Sequence, residues 1–191
     1  MSERLALAVL ALPFWPKTEP KRSVLLILPG IQEYRIAEGV KYWPEKAQRL
    51  WVAGTRGDPF YTRREILEII GRITAKEGDA YLENGGWANH TPDQMRWAVE
   101  LLKKSSEVNH IAICTAAYHV PRCVLTLVRA MLVSGTKRVI SILPTWHPEG
   151  PAVSGSKEWD EEMEKISRYQ GEGDVATLQE WCAYSLWRAS Q

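Results

Sequence analysis

The sequence predicts an α/β fold: a Rossmann-like three-layer sandwich with a mostly parallel five-stranded sheet and helices on both faces. Two observations carry this. Short, nearly continuous apolar runs bounded by turn residues suit strands buried on both faces. These runs alternate with amphipathic segments of helical period, the order of a parallel sheet crossed by helices. In such sheets ligands bind beyond the carboxyl ends of the strands, near the point where strand order reverses.

The elements follow in order. Residues 5–12 form a short apolar run, read as an early strand or a packed arm. It is too short to span a bilayer, and Pro13, Trp15 and Pro16 follow it. Residues 23–28 (SVLLIL) are the first buried strand, closed by Pro29 and Gly30. Residues 31–48 carry helical spacing through Ile36, Val40, Trp43 and Ala47, with Pro44 placed to end or kink the helix. Residues 49–53 (RLWVA) are a second strand. Residues 62–76 are an amphipathic helix with Ile66, Ile69, Ile70 and Ile73 on one side, and residues 79–82 are a short third strand.

Thr91-Pro92-Asp93-Gln94 reads as a helix start, with Thr91 as the cap, Pro at the first helical position and an acid in the first turn. That helix runs to about Lys104. Residues 110–114 (HIAIC) are the fourth strand and 120–132 a helix. Residues 138–143 (RVISIL) are the fifth strand, closed by Pro144. A Gly/Pro/Ser-rich loop covers 147–156, and 158–188 is helical with a break near Gly171 to Gly173. The expected organisation is one domain over 1–191: an arm at 1–22, a core at 23–147 and a C-terminal helical segment at 148–191.

Composition narrows the function classes. Of 191 residues, 45% are hydrophobic and 25% charged, and 24 basic residues balance 23 acidic ones for a net charge of +1. That balance gives no electrostatic reason to expect nucleic acid or an anionic membrane as a partner. Three cysteines, widely spaced and with no CxxC, argue against a disulfide framework and fit a reducing, cytoplasmic setting. Cys114 and Cys123 read as buried packing thiols. The four histidines lack metal-ligand spacing, so no metal site is expected. No cofactor and no oligomeric state can be read from the chain.

Polar residues collect where this architecture places its site. Gly30, Arg35 and Glu38 follow the first strand, Gly54, Thr55 and Arg56 the second, and Glu83 and Asn84 the third. Asn89, His90, Thr91 and Asp93 open the next helix. The fourth junction, residues 110–122 (HIAICTAAYHVPR), is the most informative. An apolar strand runs into Thr115, Tyr118, His119 and Arg122 at a helix start, where backbone N–H groups and a guanidinium would face an anion. His119 can serve there as general acid or base. Each feature has a plain structural alternative. Tyr118 and His119 would be a half-buried turn, Arg122 a surface residue, Glu83 a solvated loop acid and Thr91 a helix cap. The Gly54 loop lacks the Lys-Ser/Thr ending of a P-loop. Glu161, Lys165 and Tyr169 have helical spacing and are read as a solvated face.

Taken together, the junctions resemble the bacterial family catalogued as domain of unknown function 218 (DUF218, the YdcF/SanA/ElyC-like domain). Leu28-Pro29-Gly30 with Arg35 matches its strand-Gly and Arg-containing helix. Ala53-Gly54-Thr55 with Glu65 matches its second element loosely. Glu83 matches its acid, and His90-Thr91-Pro92-Asp93-Gln94 stands where Asn-Thr-x-Glu-Asn is expected. Thr115 to Cys123 (TAAYHVPRC) matches its Thr-Ser-x-Tyr-His-x-x-Arg-Ala, the one specific element. The resemblance covers roughly residues 23–147. It departs at His90, Asp93 and Gln94, which replace Asn, Glu and Asn.

The resemblance implies a Rossmann-like fold with a pocket lined by the matched residues: Gly30, Arg35, Gly54, Thr55, His90, Thr91, Asp93, Thr115, Tyr118 and Arg122 for binding, with His119 and Glu83 as acid/base groups. The expected function is a hydrolase or group transferase acting on a small phosphate-bearing or nucleotide-like anion. The alternative is a non-catalytic sensor of a nucleotide-like ligand. A third reading, a contact surface for another protein, rests on the nine Trp, among them Trp146, Trp159, Trp181 and Trp187.

Overall fold

The structure, a computed structural model, describes residues 2–12, 22–43, 46–55, 61–74, 79–82, 88, 90–146 and 155–191. It begins with helix α1 (Ser2–Leu10). Of the two expectations for the start, the strand is corrected: Leu5, Ala6 and Val9 are buried while Arg4, Leu7 and Ala8 are exposed, a helical stripe rather than an alternation. The stripe packs on two later helices and joins the main core.

Strand β1 (Ser23–Ile27) and helix α2 (Glu33–Tyr42) follow. The helix is shorter than its apolar spacing suggested. Trp43 leaves it in an extended conformation (φ −99°, ψ 139°), as expected for the residue that precedes a proline. Strand β2 (Arg49–Val52) leads to helix α3 (Arg63–Ile73), which opens with a capping box between Thr62 and Glu65. Strand β3 (Asp79–Leu82) precedes helix α4 (Thr91–Lys104). Strand β4 (His110–Ala116) passes through a single 3-10 turn (Ala117–His119) into helix α5 (Val120–Ser134). Strand β5 (Val139–Thr145), helix α6 (Lys157–Glu172) and helix α7 (Leu178–Ala189) complete the chain.

The strands lie in the order β3-β2-β1-β4-β5, and every neighbouring pair is parallel. This is a Rossmann-like α/β fold, and strand order reverses between β1 and β4. Strand β5 does not stop at Pro144 as expected. It sits at the sheet edge, where a residue without an N–H is tolerated, and Pro144 pairs with Thr115 in register.

Side-chain alternation divides the core. Val24, Leu26, Trp51, Ile111, Ile113, Ile140 and Ile142 face a cluster completed by α1, α4, α5, α6 and α7. Leu25, Ile27, Leu50, Val52, Ala112 and Cys114 face a smaller one completed by α2 and α3. On the large face Trp97 of α4 meets Trp51 of β2 edge-on, with ring centroids 6.3 Å apart. On the other face α2 lies close to the sheet at Gly39, where a Cβ would fall 2.6 Å from the Ile27 side chain. Trp159 and Trp181 belong to the core, and Trp146 is about half exposed. Among the described residues no helix is long and apolar enough to cross a membrane.

Candidate functional site

The β1–β4 switch point places two junctions side by side. β1 ends at Ile27, and the Leu28 N–H continues its ladder to the Cys114 carbonyl. β4 runs two residues further, so its end stands above that of β1. The Thr115 hydroxyl donates back to the Leu28 carbonyl at 3.1 Å and ties the junctions together.

Two cavities open here. One, of about 230 Å³, is lined by Leu28, Gly30, Arg35, His90, Thr91, Gln94, His119, Arg122, Lys165 and Tyr169. The other, of about 220 Å³, is lined by Tyr118, Glu158, Glu161 and Glu162 and shares Arg35, His119, Arg122 and Lys165 with the first. A larger groove of about 470 Å³ lies between α4 and α5, but its cations are already paired: Arg96 with Asp93, Lys103 with Glu100, and Arg129 with Glu180. The smaller cleft differs in holding Arg35, which has no carboxylate partner among the described residues, beside Arg122 and Lys165, which pair with Glu162.

Arg35, on α2, is buried, with 6% of its surface exposed. It donates to the Tyr118 hydroxyl at 2.8 Å and to the Thr115 hydroxyl at 3.4 Å, and it lies 5.6 Å from the Tyr118 ring centroid. Its Nε is buried with no partner, and no carboxylate pairs with the guanidinium among the described residues. Gly30 makes room for it. The backbone there is left-handed (φ +56°), and a Cβ would stand 3.0 Å from Arg35 Nη1.

His119 and Arg122 meet a residue that sequence reading missed. Glu162 of α6 is 3% exposed; its Oε2 accepts from Arg122 Nε at 2.6 Å and lies 2.9 Å from His119 Nδ1. Its Oε1 accepts from Arg122 Nη2 at 3.2 Å and from Lys165 at 3.1 Å. Arg122 Nη1 donates to the Thr91 hydroxyl at 2.7 Å, and its guanidinium lies 5.8 Å from the Tyr169 ring centroid. Burial opposes ionisation of Glu162, but the His119 ring and the Arg122 guanidinium outweigh it and hold the carboxyl well below the ordinary range. Burial, with the Arg122 charge beside it, lowers the His119 pKa to about 4, against the opposing pull of Glu162. The imidazole is neutral at pH 7 and the carboxylate ionised.

Two expectations are corrected at this point. Thr91 is not the cap of α4. His90 stands at that position without a side-chain hydrogen bond, and Thr91 is the first helical residue, with its oxygen turned to Arg122. The face of Glu161, Lys165 and Tyr169 is not simply solvated, because α6 lies across the cleft and contributes all three to its walls. A signal for Glu162 existed only as a helical neighbour of that face.

The other named residues are placed as follows. Gly54 (φ +80°) backs the wall, since a Cβ there would stand 2.7 Å from the Gln94 amide nitrogen. Thr55 is buried and lines neither cavity. Asp93 pairs with Arg96 at 2.5 Å and also lies outside the lining. Glu83, Asn84, Asn89, Arg56 and Pro13 to Pro16 lie outside the described residues. Cys114 and Cys123 are fully buried, and burial raises both thiols far above their ordinary range, so neither is a thiolate. Among the described residues no group of three or more His, Cys, Asp or Glu could hold a metal ion.

The helix starts add a pattern. Around the first cavity α2, α4 and α5 begin without a side-chain cap, whereas α3, α6 and α7 are each capped by a Ser or Thr hydroxyl. First-turn N–H groups at the starts of α2 and α4 are available to an anion, whereas α5 continues directly from the 3-10 turn.

Fold and cleft together define the class: a Rossmann-like α/β protein with a polar cleft of mixed charge at its topological switch point. Comparison goes no further, since no family model, no curated protein and no solved structure matches the chain.

Proposed function

We propose that this protein is an enzyme, a hydrolase or group transferase, acting on a small phosphate-bearing or nucleotide-like anion bound at the carboxyl ends of β1 and β4. The observation that carries this reading is Arg35. An ionised guanidinium held at 6% exposure with no carboxylate partner among the described residues is costly to keep, and an arriving anion would satisfy it. The uncapped starts of α2 and α4 around the same cavity support an anion over a neutral ligand. His119 is the proton-transferring group, neutral and at the cleft wall. The resemblance of Tyr118-His119 and Arg122 to the DUF218 element supports the same pocket.

The test is a thermal-shift screen against inorganic phosphate, nucleotides and sugar phosphates, with product analysis of each hit. Ligand at a hundred times its dissociation constant stabilises the fold by about 2.7 kcal/mol. A hit that is consumed by the wild type and left intact by a folded His119→Ala variant supports the enzyme. A hit bound and never altered replaces it with a sensor, and no hit removes the anion reading.

A further inference from the structure

We infer that Glu162 is the positioning residue of a His119–Glu162 pair that presents His119 Nε2 to the cleft as a base. The inference rests on reading the cleft as a reactive site, and it adds which half of the proton transfer the site is built to begin.

The argument is one of hydrogen-bond inventory. Glu162 is ionised, so both its oxygens accept only. His119 Nδ1 lies 2.9 Å from one of them, and that contact is attractive only if Nδ1 carries the proton. Arg122 Nη2 also lies 3.2 Å from Nδ1, but one of its two protons has an acceptor in Glu162 Oε1 at the same distance, so this contact does not require a bare Nδ1, whereas a bare Nδ1 would repel Glu162 Oε2 at 2.9 Å. A neutral ring protonated at Nδ1 has its lone pair on Nε2. Nε2 has no hydrogen-bond partner among the described residues, and His119 lines both cavities. The ring is also held from turning over, because Arg122 and Lys165 fix the carboxylate from two further directions.

A base so placed takes the proton of a hydroxyl, from water or an alcohol acceptor, as that oxygen forms its bond to phosphorus. The P–O bond to the leaving group breaks and its electron pair goes to the leaving oxygen. The imidazolium, stabilised by Glu162, then returns the proton to that oxygen. Protons balance with no further reactant. Joined to the anion reading of the cleft, such a base fits a phosphate ester attacked by a hydroxyl as the substrate class.

The experiment is long-range ¹H–¹⁵N correlation spectroscopy of the His119 ring in the full chain at pH 7, for wild type, Glu162→Gln and Glu162→Ala, each also titrated with inorganic phosphate. The expected wild-type pattern is Nδ1 protonated and Nε2 bare. Glu162→Gln, which keeps an acceptor oxygen, retains it, and Glu162→Ala reverts to the Nε2–H form that free neutral imidazole prefers. Should Glu162→Ala fail to fold, Glu162→Asp replaces it and shifts the Nδ1 proton upfield. A wild-type ring protonated at Nε2, or a ring unchanged from wild type in Glu162→Ala (or in Glu162→Asp where that replaces it), overturns the role of Glu162. Absence of a phosphate effect on the wild type overturns the anion reading instead, whatever the tautomer.

Discussion

Arg122 and Glu162 stand 40 residues apart in sequence and form a two-pronged ion pair, Nε to Oε2 at 2.6 Å and Nη2 to Oε1 at 3.2 Å. The pair joins α5 to α6 across the mouth of the cleft. Both side chains are largely buried, at 12% and 5% exposure, so removing Glu162 strips Arg122 of its carboxylate, and removing Arg122 leaves Glu162 with Lys165 as its remaining cation. Arg122→Met and Glu162→Met are each expected to cost about 3–5 kcal/mol, and the double variant clearly less than their sum. Denaturant unfolding of the three variants checks this, and strict additivity would contradict the pairing.

Arg35 should behave in the opposite way. With no carboxylate to abandon among the described residues, Arg35→Met removes a buried charge and leaves Tyr118 and Thr115 with hydroxyls that have other outlets, Thr115 donating to Leu28. Stability without ligand should hold or rise by about 1 kcal/mol, while stabilisation by inorganic phosphate disappears. Thermal melts with and without phosphate separate the two effects. A strongly destabilised variant would show that the guanidinium serves the fold rather than a ligand.

Acid should weaken the fold from a definite pH downward. His119 and His110 both have folded pKa values lowered to about 4 from 6.5, His119 by burial and the Arg122 charge, His110 by burial and the Arg188 charge. Between those values the unfolded chain binds protons that the folded chain does not. Stability is therefore full above pH 6.5 and falls as pH drops toward 4, by on the order of 3 kcal/mol for each ring. Glu162 acts in the same direction at lower pH, since its depressed pKa gives stability that is lost as it is protonated. Denaturant unfolding at half-unit steps from pH 7 to 4 reads this. His110→Asn should flatten the slope by about half, and a wild-type profile flat across that range would refute the neutral-histidine assignment.

Gly30→Ala should strain the backbone at φ +56° and press on the Arg35 guanidinium. The expected stability loss is about 1–2 kcal/mol. Phosphate affinity should fall alongside it, because Arg35 moves. Isothermal titration with inorganic phosphate gives the second number, and an unchanged affinity would place the anion away from Gly30.

Much of the frame was legible in the chain. Beyond their first residues, Ser23 and His110, residues 23–28 and 110–114 are apolar because β1 and β4 are covered on both faces, and that demand leaves a continuous run in the sequence. Tyr118, His119 and Arg122 were legible as a group for a local reason: they occupy one turn where a strand becomes a helix. Residues 5–12 read as either a strand or a packed arm because a short apolar run can serve a strand or a helix equally, and only its packing on α5 and α6 decides. Thr91 was misread as a cap because a Thr before Pro satisfies the local rule, while an Arg from another helix competes for its hydroxyl.

The sequence by itself determined the alternation of strands and helices and the edge of the sheet where polar groups gather, since both follow from local periodicity and from the physics of buried strands. The tertiary structure alone decided which charges meet. Glu162 carries no local mark that separates it from Glu158, Glu161 or Glu164 on the same helix. It becomes the partner of His119 and Arg122 because α6 folds across the cleft with that one position facing inward. Arg35 is left without a carboxylate among the described residues for the same reason: pairing is set by distance in space, which a list of residues does not contain.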